Sequence, residues 1–185
     1  EIYANTGKMT ITVTSDFTNS GKIDSSSELL KITAKSITTS GEINAQSGDF
    51  ESTEAGIVFG ENSENTFEAG LTVTSAGNFE NYGAITALGV EIVATGDFTN
   101  SGKIDSSTGL LKITAKSITT FGEINAQSGE FESTEADILF AENSETTFEA
   151  GLTVTPAGNF ENCGTITAFG VEIEATGDFT NSGKI

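Results

Sequence analysis

The sequence predicts an all-β fold, a right-handed parallel β-helix: a β-solenoid whose coils are about 19–22 residues long. Three observations predict it. Long blocks recur at an offset of 81 residues. A kernel of about twenty residues recurs inside each block. Apolar and polar residues alternate with period two along that kernel.

The large repeat is read directly. Asp16 to Ile23 recurs as Asp97 to Ile104 and again as Asp178 to Ile185. Lys31 to Ile37 recurs as Lys112 to Ile118, and Gly41 to Gly48 as Gly122 to Gly129. Within one unit the coils run Val90 to Gly109, Leu110 to Gly129, Glu130 to Gly151 and Leu152 to Gly170. Residues 1–185 therefore read as one solenoid segment. Its four-coil units span about 9–89 and 90–170, with a partial unit over 171–185.

Each coil is expected to hold about three short strands. Val90, Ile92, Ala94, Phe98 and Ile104 fall on one face, and Glu91, Asp97, Thr99 and Lys103 on the other. β-Branched and aromatic residues suit such strands. A coil this short cannot bury its own apolar face, so equivalent strands must pair in parallel above and below it. Identical positions then stack roughly 4.8 Å apart. Phe17, Phe79, Phe98, Phe160 and Phe179 form one expected ladder, with Ile37 and Ile118 substituting. Ile23, Ile43, Ile85, Ile104, Ile124, Ile166 and Ile185 form a second. Leu71, Val90, Leu111, Leu152 and Val171 begin a third.

The turns have their own signature. Asn19, Asn81, Asn100, Asn162 and Asn181 are expected to stack as an amide ladder, with Thr39 and Thr120 in its gaps. Gly21, Gly83, Gly102, Gly122 and Gly164 follow two residues later, where a sharp turn would use the positive φ open to glycine. Differences in coil length call for bulges, one expected near Lys116 and Ser117, and for a longer loop over Ala141 to Thr147. Eight full coils with partial ends make a rod of roughly 40 Å. Glu1 to Ala4 reads as the last strand of a further coil. Uncapped strand edges are templates for pairing, so the chain is expected either to continue in more repeats or to stack on itself end to end.

Composition narrows the chemistry. There are 27 acidic residues against 8 basic ones, a net charge of −19, and no Arg, His or Trp. Histidine, the usual general base near neutral pH, is absent. The acidic balance argues against nucleic acid, which selects basic patches, and against anionic membrane surfaces. No apolar run approaches the ~20 residues of a membrane helix. One cysteine excludes an internal disulfide framework.

The kernel Gly96-Asp97-Phe98-Thr99-Asn100-Ser101-Gly102-Lys103-Ile104 resembles the repeats of filamentous-haemagglutinin-type secreted adhesins. The resemblance covers nearly the whole chain. It implies a right-handed β-helix exported to the cell surface, acting as an adhesin or its shaft. The close likeness of the 81-residue units departs from an ordinary adhesin shaft and points toward a sheath or filament.

No catalytic, cofactor-binding or metal site stands out. Glu51 and Glu54, Glu61 and Glu64, Glu132 and Glu135, and Glu142 and Glu145 are paired carboxylates. Such pairs could serve a glycosidase or, as hard oxygen ligands, calcium at the acidic surface. Without Arg, inserted loops or an Asp-x-Asp-x-Asp-Gly loop, solvated surface charge is the preferred reading. Thr72 and Thr74 form a Thr-x-Thr pair, but one coil later Glu91 and Val93 stand in their place, which breaks a flat threonine array of the ice-binding kind. Cys163 takes the turn slot that Tyr82, Ser20, Ser101 and Ser182 hold elsewhere, where it could crosslink molecules or be a tolerated substitution. The expected function is a cell-surface filament, fibre or sheath built by lengthwise stacking, with self as partner. The alternative is the shaft of a large adhesin, whose host ligand the sequence does not reveal, and a carbohydrate-active enzyme is a distant third.

Overall fold

A computed structural model describes all residues from Glu1 to Ile185. In chain order the strands are β1 (Ile2–Tyr3), β2 (Met9–Thr12), β3 (Phe17–Asn19), β4 (Lys22–Ala34), β5 (Ile37–Thr39), β6 (Glu42–Ser52) and β7 (Ile57–Phe59). Next come β8 (Glu64–Ser75), β9 (Phe79–Asn81), β10 (Ala84–Ala94), β11 (Phe98–Asn100), β12 (Lys103–Ala115), β13 (Ile118–Thr120) and β14 (Glu123–Ser133). The last are β15 (Ile138–Phe140), β16 (Glu145–Thr155), β17 (Phe160–Asn162), β18 (Thr165–Ala168), β19 (Val171–Ile173) and β20 (Phe179–Asn181).

Long strands stack in the order β1-β4-β6-β8-β10-β12-β14-β16-β18, with β2 on β4 and β19 on β16. The three-residue strands stack into a second sheet of nine, one per coil. All pairings are parallel, from β3 on β5 to β17 on β20. This is a parallel β-solenoid.

Two expectations about the path need correction. A coil holds two strands, not three. The first two arms fuse into one strand that bends at an irregular register, as between Thr86 and Val90 where β10 meets β12. Unequal coil lengths are absorbed at these bends, between Ser25 and Leu29, Ala45 and Ser47, and Ser106 and Leu110. Lys116 and Ser117 are not the bulge. Ser47, Gly70 and Gly89 lie in register at these bends. The long coils carry their extra residues in the turn before Glu64 and its equivalent Glu145. Asn62 at φ 62° and Asn143 at φ 69° close those turns in the left-handed region that asparagine tolerates. The loop expected over Ala141 to Thr147 is thus shorter, because β16 begins at Glu145.

The expected ladders form, with substitutions the sequence did not declare. The phenylalanine column runs through Ile37, Ile57, Ile118 and Ile138 as well as its five phenylalanines. Rings of Phe79 and Phe98 stack at 5.5 Å and 6°. The isoleucine column is interrupted by Asn65 and Thr146. The third column contains Gly48 and Gly129. The missing side chains there are replaced from the next coil: a Cβ on Gly48 would lie 2.6 Å from the Phe67 ring. Phe67 in turn meets Phe50 edge-on at 5.6 Å. One continuous apolar core results, and each fully buried side chain contributes roughly 1.5–3 kcal/mol.

The turn glycines are required for a different reason from the one expected. Gly7 is the one glycine with positive φ. A Cβ on Gly41 would land on the carbonyl oxygen of Gly21, and one on Gly122 on that of Gly102. At these two positions the coils approach too closely for a side chain, while the longer turns seat Ser63 and Ser144 in the same column. Close approach, not a left-handed turn, selects glycine.

Candidate functional surfaces

The amide ladder is an internal device. Asn81 donates from Nδ2 to Asn100 Oδ1 at 2.8 Å, and Asn100 donates to Thr120 Oγ1 at 3.3 Å. Asn19 donates to Thr39 Oγ1 at 3.1 Å and Asn162 to Asn181 Oδ1 at 2.9 Å. Each amide also reaches a backbone carbonyl of the next coil, as Asn100 does to that of Glu123. The ladder is not continuous. Phe59 and Phe140 occupy its slots in the long coils. Asn81 and Asn162 therefore face phenylalanine on one side, and their buried Oδ1 atoms have no partner. Neither phenylalanine was expected in this column.

Outside, charge is ordered by coil. Lys22 Nζ lies 2.7 Å from Glu42, Lys31 2.7 Å from Asp49 and Lys35 2.7 Å from Glu54. The second unit repeats the arrangement with Lys103 on Glu123 at 2.8 Å, Lys112 on Glu130 at 3.9 Å and Lys116 on Glu135 at 3.0 Å. All six pairs join the lysine-bearing coil to the one after it. The hydrogen bond from Lys22, and then that from Asn44, hold the Glu42 carboxyl below its ordinary value. Lys103 does the same for Glu123. The carboxylates raise their lysine partners in return. These pairs are partly solvated, so each contributes little.

The paired carboxylates do not converge. Glu54 and Glu135 are engaged by lysine. Glu64 lies in register with Glu42 and Ala84, while Glu51 lies beside Thr74. No group of three or more Asp, Glu or Cys side chains is arranged to hold a metal ion. Thr72 and Thr74 face Glu91 and Val93 on the next coil. Cys163 sits half-buried at the turn corner, its thiol 3.3 Å from Glu161 Oε1. The equivalent slot four coils away holds an exposed Tyr82, and Glu80 raises the tyrosine hydroxyl above its ordinary value.

The sequence model of the haemagglutinin repeat family matches residues 4–36, 30–102 and 106–183. No curated protein matches the chain. No solved structure matches it either.

Proposed function

The chain belongs to the haemagglutinin repeat family, and from that premise we propose that it is a shaft segment of a secreted or cell-surface adhesin-like protein whose coils stack lengthwise into a filament. Its role is structural rather than catalytic. The observation that carries the reading is the uninterrupted parallel stacking of one coil type along the whole chain.

Lengthwise stacking has support in the columns themselves. Ile2 lies in register with Ile23, which places Glu1 in the column of Lys22. Lys184 lies in that same column at the far face, opposite Thr165. Inside the stack this column already pairs lysine with glutamate, as Lys22 with Glu42. Asn181 accepts from Asn162 and makes no onward donation, whereas Asn100 in the same column does. Phe179 and Ile185 are half-exposed at the far face, and Ile2 at the near one. Each face offers what the other takes, whether the next coil belongs to the same chain or to another copy.

Negative-stain electron microscopy of the purified chain, with and without calcium, tests the reading. Filaments of uniform width, longer than one rod, are expected. Isolated short rods under every condition would sink the stacking and leave a shaft whose working part lies elsewhere.

A further inference from the structure

We propose that each four-coil unit carries, on the outer face of its short-strand sheet, a shallow site for a neutral oligosaccharide. The site goes beyond the shaft reading and needs no stacking of copies, since both grooves lie within one chain. The first groove encloses about 280 Å³ and is lined by Ser36, Thr38, Gly56, Val58, Asn78 and Glu80. The second encloses about 410 Å³ and takes in Ser117, Thr119, Asp137, Leu139, Asn159 and Glu161, each 81 residues further on. A hollow at the same place in both units is a repeated feature of the fold. The larger hollow at the open corner of the bends, where a Cβ on Gly89 would lie 3.6 Å from the Leu110 carbonyl oxygen, sets Lys112 in register with Glu91 and selects no charge.

What the two grooves share defines the ligand. Serine, threonine, asparagine, glutamate and one aliphatic side chain recur, and the change of character is Gly56 to Asp137. The polar groups are held in place by neighbouring coils. Asn78 Oδ1 accepts from the Asp97 backbone N–H at 3.0 Å, and Asn159 Oδ1 from that of Asp178 at 2.8 Å. Those bonds fix the amides and leave each Nδ2 as a donor at the groove, with Asn159 Nδ2 keeping a long 3.4 Å contact to Asp137. Ser36 donates to Asp16 at 2.8 Å and Ser117 to Asp97 at 2.7 Å, so both hydroxyl oxygens remain acceptors.

The apolar part is also repeated. Val58 and Leu139 are half-buried at the centre of their grooves. An exposed aromatic ring stands one coil from each. Tyr82 is 40% exposed and follows Glu80, which is in register with Val58. Phe121 is 51% exposed and follows Thr119, which is in register with Leu139. A pyranose has an apolar C–H face and a rim of hydroxyls, and it matches an apolar surface edged by a few fixed donors and acceptors. Charge narrows the class. No lysine lines either groove, and a net charge of −19 repels sulfated or carboxylated glycans. A basic peptide would find one carboxylate common to both grooves, Glu80 or Glu161, and that carboxylate already accepts from Tyr82 or Cys163.

The test is saturation-transfer NMR on the full chain with maltohexaose, cellohexaose and N-acetylchitohexaose as probes. Transfer to the ring C–H protons of at least one probe is expected. Asn78→Ala with Asn159→Ala removes both fixed donors and is expected to weaken binding by about three- to tenfold. Both side chains are exposed, so the melting temperature should stay near that of the wild type. Tyr82→Ala with Phe121→Ala is expected to weaken binding by about two- to tenfold. Absence of transfer to all three probes would overturn the proposal, as would undiminished binding to both folded double variants. A sulfated hexasaccharide binding as tightly as the neutral ones, or displacement of the sugar by hexalysine, would overturn it too, since charge rather than the shared neutral groups would then select the ligand.

Discussion

Two joints between neighbouring coils make the instructive comparison. Where β4 meets β6, the outside carries three lysine–carboxylate pairs and the inside sets Ile23 on Ile43. Where β6 meets β8, the outside sets Glu42 beside Glu64 and the inside sets Ile43 on Asn65. The second joint has like charges facing one another and a buried polar side chain whose Oδ1 has no partner. It still carries the same parallel ladder. What makes up the difference is aromatic: Phe50 meets Phe67 at 5.6 Å and Phe59 meets Phe79 at 5.7 Å across the joint. Surface charge orders the coils, and the inner columns hold them.

The comparison breaks most readily at its aromatic side. Phe50→Ala removes the side chain that spans the weaker joint and is expected to cost about 3–5 kcal/mol. Chemical denaturation would read it, and a loss no larger than that of a surface change would refute the assignment. Next, Gly122→Ala should cost about 1–3 kcal/mol, because its Cβ falls on the Gly102 carbonyl. Gly89→Ala, at the open corner, should stay within about 0.5 kcal/mol of wild type. Equal losses at the two glycines would mean that close approach is not what selects them. Asn100→Ala leaves Asn81 Nδ2 without its side-chain acceptor and should cost about 1–3 kcal/mol.

The smallest effect belongs to the lysines. Lys103→Gln should lower stability by roughly 0–1 kcal/mol, less at high salt. The difference between this variant and wild type has a defined pH window. Lys103 depresses the Glu123 carboxyl, so the stabilisation is present above the ordinary glutamate value and is lost as pH falls through the depressed one. The same pair raises Lys103, so it is also lost as pH rises through that raised value in alkali. Melting curves of both proteins at neutral pH and in acid should converge in acid. A gap that stays constant in acid would show that the lysine acts by packing its stem instead.

The sequence by itself determined the solenoid, because a twenty-residue period with alternating faces has one economical way to bury apolar surface, by stacking copies. It also determined the phenylalanine column and most of the asparagine ladder, since equal sequence offsets become equal heights in the stack. Only the tertiary structure decided the rest. Phe59 and Phe140 enter the asparagine column, and Asn65 and Thr146 enter the isoleucine column, because the long coils shift which residue meets which. The lysine pairs lie 18 to 20 residues apart in the chain and become visible only when coils are superposed. The glycines at the tight corner and those at the open corner look alike in sequence. Distance to the neighbouring backbone separates them, and that distance exists only once the coils are stacked.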